Sequence, residues 1–172
     1  MLVRPLRELR ELAAEGAMPV DSDAVLLIDF WKGAGPAREF RTSTLNGPES
    51  VPPLAAVIVD PETNAVPLEK STRNPYDGFL FLGRASTCDV IIRDASISKS
   101  HAVIEPKGGG WRLRDNRSRN GTWHNGERLD EGEQVDLASG DLIVLGSYPM
   151  YFVRSPELVK LLVRASIRPP RG

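Results

Sequence analysis

The chain from residue 54 to 153 is cut into short apolar runs by turn signals at close intervals, and that punctuation limits the fold more than any other feature. Asn125-Gly126 is the sharpest signal, because a type I′ hairpin turn needs positive φ at both central residues. Gly108-Gly109-Gly110 divides the runs at 102–105 and 111–114 in the same way. Further runs lie at 54–59, 79–82, 90–92, 122–124, 142–145 and 150–153, the first closed by Asp60-Pro61-Glu62-Thr63-Asn64. Short strands at such spacing predict an all-β sandwich. Fourteen prolines and fifteen glycines in 172 residues agree with a turn-rich β protein rather than a helical bundle.

The flanks differ from this middle. Leu6, Leu9, Leu12 and Ala13 recur at the spacing of one helical face, with Arg7, Glu8, Arg10 and Glu11 opposite and Gly16 at the stop. Residues 24–31 read equally as a buried strand or a helical piece. Residues 32–53 are polar and rich in Gly and Pro, which reads as a linker or arm. Pro156 opens a C-terminal helix with Leu158, Leu161, Leu162 and Ala165 on one face. The expected organisation is an N-terminal extension over 1–50, a sandwich over 51–154 and a C-terminal helix and tail over 155–172.

Composition excludes several functions. One cysteine, Cys88, and two histidines, His101 and His124, leave no disulfide framework and no Cys- or His-rich metal centre. No cofactor is expected. The longest aliphatic run, 54–59, is far short of the roughly 20 residues of a spanning helix. Charges stand where a signal peptide would be apolar, so a cytoplasmic protein without membrane attachment is the expectation. Twenty-two basic residues against 23 acidic ones argue against a whole-chain grip on nucleic acid. The charge is nonetheless uneven. Residues 84–128 hold nine Lys/Arg and five Asp/Glu, whereas 129–141 hold five acids and no base.

That basic block contains three polar clusters between predicted strands: Gly83-Arg84, Ser98-Lys99-Ser100-His101, and Asp115 through Thr122. Loops at one end of a sandwich converge in space. Together Arg84, Ser98, Lys99, Arg119 and Asn120 would offer a guanidinium fork, a hydroxyl, an ammonium and an amide. Such a donor set suits a phosphorylated side chain, which brings roughly -1.5 to -2 charges and three acceptor oxygens.

Gly-Arg, then Ser-x-x-His fourteen residues on, then Ser-x-Asn-Gly-Thr and Asn-Gly, resembles the forkhead-associated (FHA) domain family over residues 54–153. The resemblance implies a sandwich of about eleven strands that binds phosphothreonine peptides through loops at one end. By matching position, Arg84 and Ser98 resemble the phosphate-contacting residues of the family, Lys99 a basic neighbour, and Arg119 a variable residue beside the phosphate. Asn120 resembles the asparagine that holds the peptide main chain. His101 resembles a loop-bracing histidine. The third residue after phosphothreonine would then sit near Ser96 and the loop at 146–148. Gly83 and Gly121 read as backbone-geometry residues, Ser118 as a loop-bracing hydroxyl, and Asp115 as the anchor of its own turn.

Ser98 with His101 lacks the nucleophile elbow and oxyanion element of a hydrolase, and Gly108 to Gly110 lacks the Lys-Ser/Thr of a nucleotide loop. Cys88, Trp111 and Trp123 read as core or sheet-face residues. The expectation is a non-catalytic adaptor for a phosphothreonine protein in a Ser/Thr-kinase pathway. The rival is a phosphate-independent assembly module that uses the sandwich face and terminal helices; a separate activity in residues 1–50 has no catalytic constellation behind it. Thr42 and Thr44 in the arm are candidates for a phosphorylated segment that binds the chain's own site, against the plainer reading of a polar linker.

Overall fold

The computed structural model describes residues 3–16, 21–29 and 51–167. The arm with Thr42 and Thr44 lies outside the described residues. Twelve short strands form two sheets, with three helices among the described residues. In chain order these are β1 (Arg4–Pro5), α1 (Leu6–Ala14), β2 (Ala24–Ile28), α2 (Leu54–Val59), β3 (Asn64–Pro67), β4 (Leu80–Gly83), β5 (Val90–Ile91) and β6 (Ala102–Lys107). Then come β7 (Gly110–Asp115), β8 (Thr122–His124), β9 (Glu127–Arg128), β10 (Val135–Leu137), β11 (Leu142–Leu145), β12 (Tyr148–Arg154) and α3 (Ser155–Ile167). One sheet runs β1-β3-β2-β12-β11-β8-β9 and the other β10-β7-β6-β4-β5.

The two faces of the first sheet explain the pattern of β2 and β12. Ala24, Leu26, Ile28, Met150 and Phe152 point between the sheets, where they meet Leu82, Ile104, Leu113 and Trp111. Val25, Leu27, Tyr151 and Val153 point the other way, onto a layer of helices. Both faces being covered, β2 needs apolar residues at every position, which is why periodicity could not tell it from a helix. Leu6 and Leu9 of α1, Val57 and Ile58 of α2, and Leu158 and Leu162 of α3 supply the third layer, all 3% exposed or less. Each large aliphatic side chain buried in this way contributes about 1.5–3 kcal/mol.

Two expectations are corrected here. Residues 54–59 are a helix, not a strand: Leu54, Val57 and Ile58 share one side, the N–H groups of Ala56 and Val57 bond Pro53 O, and buried Thr63 donates its hydroxyl to Val57 O at 3.0 Å. The sandwich does not begin at residue 51, because β2 stands inside the sheet between β3 and β12. The short terminal helices α1 and α3 are present as expected, and their apolar faces pack on the sheet. The hairpins fall where expected. Asn125 and Gly126 join β8 to β9 with φ of 51° and 90°, and Gly108 and Gly109 turn β6 into β7.

Candidate functional site

Strand direction brings the polar clusters to one end. Antiparallel β4 and β6 pair Leu82 with Ala102, and β6 pairs Ala102 with Asp115, so Gly83-Arg84, Ser98 to His101 and the residues after Asp115 emerge together. The β11–β12 turn joins them, because Leu145 pairs with Thr122 and with Tyr148.

Backbone contacts lock these loops. Arg84 N donates to Ser98 O and Ala85 N to Lys99 O, each at 3.0 Å. The approach is so close that a Cβ on Gly83 would lie 2.3 Å from Lys99 O. Gly121, at φ 88°, sits against the Arg128 side chain, and Gly146 against Ser96 O.

His101, fully buried, joins two loops through one ring. Its Nδ1 accepts the Ser98 N–H at 3.0 Å, and its Nε2 lies 2.8 Å from Gly121 O. These partners require Nδ1 bare and Nε2 protonated, the neutral ring. Burial holds its pKa below the ordinary imidazole range, against the pull of the Gly121 carbonyl and of Asp115. Asp115 anchors the third loop. It accepts the Ser118 N–H and hydroxyl and the Thr122 hydroxyl, at 2.9, 2.6 and 2.6 Å. Burial pushes its carboxyl up, but those hydrogen bonds prevail and leave its pKa below the usual carboxylate range. Ser118 Oγ in turn accepts from Gly121 N at 2.9 Å.

On this frame stand the predicted ligand-facing side chains. Arg84, Lys99, Arg119 and Asn120 are exposed, and Ser98 is half-buried. Arg84 Nε donates to Ile97 O at 3.2 Å, which fixes the plane of the guanidinium and leaves its terminal nitrogens outward. Ser98 Oγ accepts the Arg119 N–H at 3.0 Å, so its own O–H remains to donate. Asn120 Nδ2 donates to Ser96 O at 2.7 Å, leaving Oδ1 as an acceptor. Among the described residues, Arg84, Lys99 and Arg119 form no ion pair, whereas neighbouring Arg117 meets Glu131 at 3.1 Å. Three unneutralised cations and a free hydroxyl proton at one end are the chemistry of an anion site.

The sequence singled out these five residues, yet it missed how Ser96 ties the loops together. Ser96 Oγ donates to Asp94 at 2.6 Å and accepts from Ser147 N at 3.1 Å, besides taking Asn120 on its carbonyl. Nothing in local spacing signals a partner 51 residues away. Among the described residues no group of His, Cys, Asp and Glu could hold a metal ion, and no helix is long and apolar enough to cross a membrane.

The polar loop cluster thus stands at one end of a two-sheet sandwich. Residues 80–146 match the FHA domain family model. An ABC transporter ATP-binding/permease protein of Mycobacterium tuberculosis is 39% identical over 75 residues, which are 44% of this chain and 8% of the transporter. The glycogen accumulation regulator GarA of the same species is 27% identical over 147 residues, covering 80% of this chain and 82% of GarA. A crystal structure of the MEK1 FHA domain in complex with the HOP1 pThr318 peptide is similar with a TM-score of 0.42 at 25% identity, over 52% of this chain and 87% of that one.

Proposed function

We propose that the chain is a phosphothreonine-dependent peptide-binding module without catalytic activity of its own. The observation that carries this reading is the convergence of Arg84, Lys99, Arg119 and the free Ser98 hydroxyl on loops braced by buried His101. In this mechanism Arg84 and Ser98 hold phosphate oxygens, Lys99 and Arg119 add positive charge, and Asn120 holds the peptide main chain. The loops are tied before the ligand arrives, so binding orders little further chain. Hydrogen bonds to charged groups contribute about 1.5–3 kcal/mol each, so phosphate supplies much of the affinity. The implied partner is a protein phosphorylated by a Ser/Thr kinase. The assembly-module alternative is weakened by the helices, which already cover the outer face of the first sheet.

The direct test is a degenerate phosphothreonine peptide library run beside its unphosphorylated copy. Enrichment only of phosphorylated peptides is expected. Equal retention of both copies would overturn the reading.

One observation favours a regulatory addition. The Tyr148 hydroxyl bonds Asp29, so β2 ends at the ligand end of the sheet, and Thr42 and Thr44 follow Asp29 by 13 and 15 residues in the sequence. A tethered phosphothreonine has an effective concentration near millimolar, enough to occupy even a weak site. The full chain phosphorylated on Thr42 or Thr44 would then bind outside peptides more weakly than a protein beginning near Val51. Equal binding would leave the arm a linker.

A further inference from the structure

A groove of about 520 Å³ opens beside the phosphate loops, between the ends of β2 and β12 in the first sheet and the edge strand β5 of the second. Ile28, Asp29 and Tyr148 line it from the first sheet, and Ile91, Ile92 and Arg93 from the second, with Arg73 at its rim. It is continuous with the loop cluster. Ile92 and Arg93 lead directly into Asp94 and Ser96, and Tyr148 follows the Ser147 N–H that bonds Ser96.

The charges in the groove are not balanced internally. Asp29 keeps its charge, with one carboxylate oxygen taking the Tyr148 hydroxyl and the other Asn64 Nδ2 at 3.0 Å, so the lining sets two arginines against one carboxylate. Burial, with Asp29 adding to it, holds the Tyr148 hydroxyl protonated far above the phenol range, so Tyr148 adds no negative charge. Asp94 is turned to Ser96, accepting its N–H at 2.8 Å and its hydroxyl at 2.6 Å. Arg73 reaches only Cys88 O at 3.4 Å, and Arg93 has no hydrogen bond or ion pair among the described residues. Both arginines are exposed. Two unpaired guanidinium groups over an isoleucine floor match a segment that carries carboxylates beside apolar side chains.

We infer that this groove binds an acidic stretch of the phosphorylated partner, lying beyond the third residue after the phosphothreonine. The inference rests on the phosphothreonine reading and extends it: Arg84 and its neighbours read the phosphate, while Arg73 and Arg93 read the charge that follows. Affinity then depends on two separated anionic features of one peptide. A singly phosphorylated peptide with a neutral tail is a poorer ligand than one with an acidic tail.

The test uses the full chain and three forms of a library-selected phosphothreonine peptide. One ends at the third residue after the phosphothreonine, one continues with Asp/Glu-rich residues, and one continues with Ser and Gly. Titration calorimetry at low salt should show the acidic extension binding roughly three- to ten-fold tighter than the neutral one, as two partly exposed ion pairs allow. In the Arg73→Ala/Arg93→Ala variant that ratio should fall to one. Equal affinity for the acidic and neutral extensions overturns the groove and leaves the phosphate site standing. A ratio unchanged in the double variant does the same. Failure of every phosphorylated peptide to bind the wild type overturns the phosphothreonine reading, and the groove with it.

Discussion

Ser98 Oγ accepts the backbone N–H of Arg119 at 3.0 Å, and that single contact sets the direction of the serine hydroxyl proton. With a lone pair engaged by the neighbouring loop, the O–H has no acceptor among the described residues and turns to the ligand side. The same bond holds Arg119 and Asn120 at the rim. Ser98→Ala should therefore weaken phosphopeptide binding roughly ten-fold or more, as loss of a hydrogen bond to a charged group predicts. Titration of wild type and variant with one phosphothreonine peptide measures it, and unchanged affinity would remove Ser98 from the site.

Gly83 has a different job. A methyl group there would lie 2.3 Å from Lys99 O, a backbone atom that cannot swing aside. Gly83→Ala should part the Arg84 and Ser98 loops, at a cost of about 1–3 kcal/mol typical of overpacking. Urea unfolding should show the loss and peptide titration a weaker site. Wild-type values in both would mean that the loops tolerate separation.

Stability should fall on acidification in two stages. His101 is neutral when folded and its folded pKa lies below the unfolded one, so the unfolded chain binds the extra proton first. That contribution begins to be lost as pH drops below about 6.5, the ordinary imidazole value. Asp115 and Asp141 have folded pKa values below the usual carboxylate range, for both despite burial, through their hydrogen bonds. Their contribution is held above about pH 4 and lost as pH falls further. In His101→Leu the first stage should vanish. That variant should also be less stable at neutral pH by about 2–4 kcal/mol, because Ser98 N–H and Gly121 O lose their shared partner. Unfolding curves from pH 8 to 3 check both, and a pH-independent wild type between 7 and 5 would contradict the role of His101.

Legibility of this chain followed the range of the interactions. Strands β8 and β11 are legible to the residue, β8 because Asn125-Gly126 writes its turn locally and β11 because Leu142 to Leu145 is an unbroken aliphatic run. Residues 54–59 misled because six apolar residues fit a strand or a short helix equally well, and only Thr63 and the layer of α1 and α3 decide. Strands β9 and β10, of two and three residues, carry no apolar run to notice. At the site, Arg84, Ser98, His101 and Asn120 could be picked out because their motif has fixed spacing. The groove could not. Tyr148 and Asp29 meet across 119 residues, and only the sheet order places Arg93 beside them.

The central claim is that Arg84 grips phosphate carried on threonine. The most direct measurement is calorimetric titration of a library-selected peptide in phosphothreonine, phosphoserine and unphosphorylated forms, against wild type, Arg84→Lys and Arg84→Ala. The account predicts binding that needs phosphate and is at least several-fold tighter for phosphothreonine, about 1 kcal/mol for one buried methyl group. Binding should weaken in Arg84→Lys, where a point charge replaces the planar fork, and be lost in Arg84→Ala with the fold intact. An Arg84→Ala protein that binds the phosphothreonine peptide as tightly as wild type would contradict it.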